Sequence, residues 1–109
     1  MSLSEKALSY FRKPPYRCNC CQTVVAAVTS PEDPSLAKYA AFGGGNAPEG
    51  YCGAAHAVRL LRPDLEEVVT REFVEKAGSV KCREIKGVHH TPCEKCVQIA
   101  CDVLAAHPK

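Results

Sequence analysis

From Thr91 to Leu104 the chain spells out a helix with one buried face. Thr91-Pro92-Cys93-Glu94 combines a Thr N-cap, Pro at N1 and Glu at N3. Cys93, Cys96, Val97, Ala100, Cys101 and Leu104 follow at i, i+3, i+4, i+7, i+8 and i+11, the stripe a helix lays against a core. Such a stripe must be covered, so the rest of the chain has to supply partner helices.

The partners are legible as segments between breaks. Leu3 to Phe11 is weakly amphipathic and stops at Pro14-Pro15. Asn19 and Gln22 have capping-box spacing, and Cys20, Cys21, Val24, Val25 and Val28 then share a helical face. The Val24-Val25 pair would also suit a strand. Ser30 to Pro34 is a break, and Ser35 to Phe42 a short helix that Gly43-Gly44-Gly45-Asn46 ends with a left-handed cap. A helix starting at Pro48 or Glu49 runs to Leu61. Pro63-Asp64 closes it and opens the next, with Asp64 and Glu67 at capping-box spacing. Leu65, Val68, Val69, Glu72 and Phe73 recur at helical intervals, and Gly78 ends that helix. Ser79 can cap a short turn through Cys82 and Ile85. No convincing pair of period-two strands is found. The expectation is an all-α compact bundle of about four to five short helices, with short connections favouring antiparallel neighbours.

The chain has 109 residues, enough for a single domain with its own core. Its net charge of +2 comes from interspersed signs, and it has no Trp and few aromatics, which argues against a nucleic-acid surface. MSLSEKALSYFRKPP has no apolar signal-peptide core, and no run suits a membrane span. A cytoplasmic protein without membrane insertion is therefore expected; its oligomeric state is left open.

The anomaly is eight cysteines, at 18, 20, 21, 52, 82, 93, 96 and 101. In a reducing compartment, clustered thiols point to metal binding or redox work ahead of a disulfide framework. Laid over the helix map, Cys20, Cys21, Cys52, Cys82 and Cys93 fall at or near helix starts. The unpaired N–H groups and partial positive charge there favour a thiolate, which is both nucleophile and metal ligand. These helix starts are therefore expected to converge on one sulfur-rich site. Cys96 completes C-x-x-C with Cys93 and also lies on the core stripe. Cys101 reads as a packed small hydrophobe. Cys18 is open between resolving thiol, ligand and bystander.

A zinc-finger pattern fails, since there is one proper C-x-x-C, and ferredoxin spacings are absent. A four-cysteine zinc or iron–sulfur site assembled from separate helices stays open. His56, one turn after Cys52, could be a ligand or a proton donor to it. His89 and His90 precede Cys93 and could tune it or bind metal; His107 reads as inert. The GGGN loop lacks the G-K-[S/T] of a phosphate site. Gly53, Ala54, Ala55 and Ala57 beside Cys52 would let another helix approach closely or keep the thiol reachable.

The order of NCCQ at 19–22, AAFGGG at 40–45, CGAAHA at 52–57, AGSVKCREI at 77–85 and the helix from Cys93 to Leu104 resembles the C_GCAxxG_C_C family of redox-active proteins. The match spans roughly 17–104, which makes 1–109 one Cys-rich helical domain with 1–16 as a lead-in. The family's shared cysteines match Cys20, Cys52, Cys82 and Cys93. This chain departs in having Ala57 where the family has Gly, and in carrying Cys18, Cys21, Cys96 and Cys101 besides. The resemblance implies redox activity, and an accessory role with a redox partner or a transporter-associated protein.

Two functions follow as expectations. In the first, Cys93 or Cys20 attacks a disulfide or oxidant, and Cys96, Cys18 or Cys21 resolves the intermediate, with Cys52 and Cys82 in the same site. In the second, Cys20, Cys21, Cys52, Cys82 and Cys93, with His56, hold zinc or an iron–sulfur cluster without turnover.

Overall fold

In the computed structural model, which describes residues 2–12, 18–42, 48–88 and 90–107, helices carry the fold. They are α1 (Leu3–Leu8), α2 (Cys20–Val28), α3 (Gly53–Leu61), α4 (Glu66–Ala77), α5 (Cys82–Gly87) and α6 (Cys93–Ala106). Tight 3-10 turns occupy Pro34–Phe42, Pro48–Gly50 and Pro63–Leu65. The all-α bundle expected from the periodicity is what forms. Among the described residues extended pairing is limited to two isolated bridges, Phe11 with Cys18 and Tyr51 with Lys81. No helix among them is long and apolar enough to cross a membrane.

Helix α2 starts as its sequence dictates. The Asn19 side chain accepts from the Gln22 N–H at 2.8 Å, and the Asn19 N–H donates to Gln22 Oε1 at 3.1 Å. Asn19 Nδ2 also donates to the Tyr39 and Ala40 carbonyls, which ties the cap to the 3-10 segment. The helix is buried on nearly every side, through Thr23, Ala26 and Ala27 as well as Val24 and Val25. The expected face is corrected at Val28, which stands 47% exposed. A helix packed against α1, α3, α6 and the 3-10 segment has little solvent face left.

Helix α6 packs on α1, α2, α3 and α4. Cys96, Val97, Ile99, Ala100, Cys101 and Val103 are buried. Phe73 from α4 and Ile85 from α5 are fully enclosed in the same core. Phe73 alone removes enough apolar surface from water to be worth about 2–3 kcal/mol.

Three expected helix starts are corrected. The helix expected from Pro48 or Glu49 is broken, since Glu49 has φ 63, Cys52 is the non-helical N-cap of α3, and α3 begins at Gly53. Asp64 does not cap α4; its carboxylate accepts from Arg62 at 2.8 and 3.0 Å, and Leu65 takes the cap position. Thr91 does not cap α6; its hydroxyl donates to the Ala77 carbonyl at 3.3 Å, Pro92 is the N-cap, and Cys93 is N1. Gly78 ends α4 with φ 88, a left-handed conformation that glycine adopts without a Cβ clash. The Gly43–Asn46 cap lies outside the described residues.

Candidate functional site

A cavity of about 760 Å³ opens where the starts of α2, α3, α5 and α6 meet. Cys20, Cys52, Cys82 and Cys93 all line it, with Arg12, Glu49, Lys81, Arg83 and Glu84. The four thiols come from different helices, and each placement has a local cause. Cys20 follows the Asn19 cap. Cys52 is held by its N–H, which donates to the Val80 carbonyl at 2.8 Å, next to the Tyr51–Lys81 bridge. That bridge brings the start of α3 beside the start of α5 and Cys82. Ser79 fixes the α5 turn by accepting from the Lys81 N–H at 3.0 Å and donating to Glu84 at 2.6 Å.

Gly53 makes the convergence possible. A Cβ there would meet the Phe42 carbonyl oxygen at 2.8 Å, the Cys21 nitrogen at 3.2 Å and the Cys20 Cβ at 3.4 Å. Two of those three contacts are backbone, so only a glycine lets α3 start this close to α2.

The thiols act on one another across helices: Cys52 and Cys93 help raise the Cys20 thiol, and Cys96 helps raise Cys52. Burial deepens along this set, with Cys93 partly exposed, Cys20 at 7%, Cys52 at 4% and Cys96 at 1%.

Charge on these sulfurs is decided by burial and by their neighbours. Burial, reinforced by Cys52 and Cys93, pushes the Cys20 thiol far up, although Arg12 pulls the other way. Cys52 is raised well above the ordinary 9.0 by the neighbouring Cys96 and then by burial; the N–H groups of Ala54 and Ala55 oppose this and lose. The expectation that helix starts hold these sulfurs as thiolates is thus corrected for Cys20 and Cys52. A partial positive charge at a helix end is outweighed where the sulfur is desolvated and faces other sulfurs.

Arg12 is a residue of the cavity that the sequence did not single out. Its Nη2 donates to the Cys93 sulfur at 3.9 Å. Its φ of 54 lies in the left-handed region, costing a non-glycine residue about 1–2 kcal/mol. Backbone bonds hold it there: the Arg12 N–H donates to the Cys18 carbonyl at 2.9 Å, and the Cys18 N–H donates to the Tyr10 carbonyl at 3.2 Å. Glu49, also on the cavity wall, has φ 63. No local signal marks Arg12, which meets a cysteine 81 positions away. Lys81 and Arg83, by contrast, flank Cys82 directly.

The other candidates lie elsewhere. His56 turns into a second cavity with Arg59 and Glu66; its Nδ1 accepts from Arg59 at 3.0 Å and its ring meets Phe42 edge-on. Burial, then Arg59, lowers its pKa. It does not line the thiol cavity. His90 is exposed and outside the thiol cavity, and His89 lies outside the described residues. His107 bonds the Val103 carbonyl. Cys18 is buried beside Phe11. Cys21 and Cys101 are enclosed in the core, and burial pushes each to about 12. Among the described residues no three Cys, His, Asp or Glu side chains stand close enough together to hold a metal ion.

Compared with protein-family models, curated proteins and solved structures, the chain has no match.

Proposed function

We propose that this is a small dithiol redox protein in which Cys93 is the attacking sulfur and Cys20 its resolving partner. The observation that carries the proposal is that Cys20 and Cys93 line one cavity, with the Arg12 guanidinium on the Cys93 sulfur. Cys93 is the more exposed of the two and can be reached. Arg12 is placed to stabilise charge on that sulfur as it attacks or leaves.

The chemistry balances as a two-electron exchange. The Cys93 sulfur, after losing its proton, bonds to one sulfur of a substrate disulfide, and the other substrate sulfur leaves and takes a proton. Cys20 then loses its proton and attacks the Cys93 sulfur of the mixed disulfide, releasing the second substrate thiol. The pair ends as a disulfide, and a thiol or dithiol reductant must return it. The Cys20 thiol, whose charge is disfavoured by burial and by Cys52 and Cys93, suits the resolving role, since a disulfide carries no charge.

The resemblance to the C_GCAxxG_C_C family supports redox chemistry and suggests a redox or transporter-associated partner in the cytoplasm, where thiols stay reduced. A second reading, a zinc or iron–sulfur site on Cys20, Cys52, Cys82 and Cys93, is favoured by the four thiols lining one cavity. It requires them to draw closer than they stand. The deciding experiment is turnover of a small disulfide by wild-type protein and by Cys93→Ser. Loss of activity in the variant supports the dithiol reading; full retention rules out Cys93 as the attacking sulfur.

A further inference from the structure

We propose that the thiol cavity receives a small disulfide that carries carboxylates, and that Arg83, with Lys81 and Arg12, selects it. The proposal rests on Cys93 being the attacking sulfur and names the substrate class of that site.

Size and charge carry the inference together. A cavity of about 760 Å³ falls in the range that holds small molecules. Its wall bears three cationic side chains, Arg12, Lys81 and Arg83, around Cys20, Cys52, Cys82 and Cys93. Two carboxylates, Glu49 and Glu84, share that wall. Glu49 is engaged from outside: its Oε1 lies 2.9 Å from Arg59 Nη1, and Arg59 lines only the second cavity. Glu84 accepts from the Ser79 hydroxyl at 2.6 Å, which ties one of its oxygens to the α5 turn.

The cations are not balanced in the same way. Lys81 Nζ donates to the Glu49 backbone carbonyl at 2.6 Å and stands 4.7 Å from the centre of the Tyr51 ring. Both contacts place the ammonium without cancelling its charge. Arg12 donates to the Cys93 sulfur. Arg83 is exposed and, among the described residues, makes no ion pair. A cleft with one sign of charge left over gathers ions of the other sign. The guanidinium fork of Arg83 matches both oxygens of a carboxylate. Arg12 stands at the reacting sulfur, while Lys81 and Arg83 flank Cys82 on the same wall. A disulfide with a carboxylate a few bonds from each sulfur can therefore meet Cys93 and a wall cation together.

In the step itself the Cys93 sulfur, having lost its proton, bonds to one ligand sulfur. The ligand's S–S bond breaks, and its other half takes up a proton and leaves as a thiol. Lys81 and Arg83 touch no bond that changes, so they act on which disulfide arrives.

The test compares three disulfides of similar size: dithiodipropionate (anionic), hydroxyethyl disulfide (neutral) and cystamine (cationic). Reduced protein, kept from oxygen, receives each one and is quenched with N-ethylmaleimide at intervals. Trypsin cuts after Lys86 and Lys95, so loss of free Cys93 is read on the 87–95 peptide. Each rate is divided by that of the same disulfide with mercaptoethanol, which removes intrinsic reactivity. The anionic disulfide is expected to lead the neutral one roughly tenfold, as one charge-assisted hydrogen bond would supply, with the cationic one last. The lead shrinks as salt is raised. Arg83→Gln should lower the anionic-to-neutral ratio about threefold, as loss of an exposed ion pair would. Arg83→Lys keeps most of the ratio, and Arg83→Glu turns it toward cystamine. Arg71→Gln removes the same charge from an exposed position on α4 and leaves the ratio as it was. Equal normalised rates for the three disulfides overturn the carboxylate proposal and leave Cys93 as the attacking sulfur. An equal fall in Arg71→Gln also overturns it, since net charge alone then sets the preference. A wild-type Cys93 that reacts with none of the three defeats the attacking-sulfur reading, and this proposal with it.

Discussion

Arg12 donates to the sulfur of Cys93 across 3.9 Å although 81 positions of chain lie between them. The contact depends on a left-handed backbone at Arg12, held by reciprocal bonds that run through Cys18 and Tyr10. Arg12→Met keeps the stem and removes the donor. It is expected to slow alkylation of Cys93 about fivefold, as loss of about 1 kcal/mol of stabilisation would. The rate is read on the 87–95 peptide. An unchanged rate would remove Arg12 from the mechanism.

Gly53 predicts a packing effect that reaches the site. Gly53→Ala places a methyl group 2.8 Å from the Phe42 carbonyl, where backbone must shift. A loss of about 1–3 kcal/mol is expected by denaturant unfolding of the reduced protein. The same shift parts α3 from α2 and should slow formation of any bridge involving Cys52. Wild-type stability in this variant would contradict the close approach.

The Asn19 cap carries α2 and hence Cys20. Asn19→Ala removes bonds to the Gln22 N–H and to the Tyr39 and Ala40 carbonyls. A cost of about 1–2 kcal/mol is expected, at the upper end of cap losses, with Asn19→Asp retaining the cap but not the carbonyl contacts. Equal stability of all three proteins would contradict this account of the α2 start.

Buried thiols also set an alkaline limit. Cys21 and Cys101 are each held at about 12, against 9.0 for an ordinary thiol, mainly by burial. Their folded pKa is raised, so the folded state holds its proton where the unfolded chain has lost it. This contribution is fully present below pH 9 and is lost as pH rises toward 12. The loss is about 1.4 kcal/mol per pH unit for each thiol in that window. Cys101→Ala should flatten the stability profile of the reduced protein by one such slope. An unaltered slope would show that Cys101 ionises as freely as in the unfolded chain.

The sequence carried the helical class, the α2 cap and the gathering of cysteines at helix starts, because periodicity and capping are local. It misread Thr91 because a local cap signal cannot show that the hydroxyl faces the Ala77 carbonyl, or that His90 turns the chain with φ 55. Cys93 and Cys96 looked like one redox pair because helical spacing puts both on one side of α6. Sulfurs of other helices join Cys93 as well, since Cys20, Cys52 and Cys82 line the same cavity, which only tertiary packing decides. His56 looked like a partner for Cys52 by the same logic, one turn along α3. Arg59, three residues further on, draws its ring nitrogen to the other cavity. The burial that raises Cys20, and the neighbouring Cys96 and burial that raise Cys52, were likewise invisible to an argument from helix ends.

The pairing of Cys20 with Cys93 is tested most directly by Cys20→Ala exposed to hydroxyethyl disulfide and then mapped by mass spectrometry. With the resolving sulfur gone, the reagent's thiol should stay bound to Cys93 on the 87–95 peptide, whereas Cys96→Ala should release it and bridge Cys20 to Cys93. A Cys20→Ala protein that instead clears the adduct through a Cys93–Cys96 bridge, as fast as wild type, would contradict the pairing and return the C-x-x-C to the centre of the chemistry.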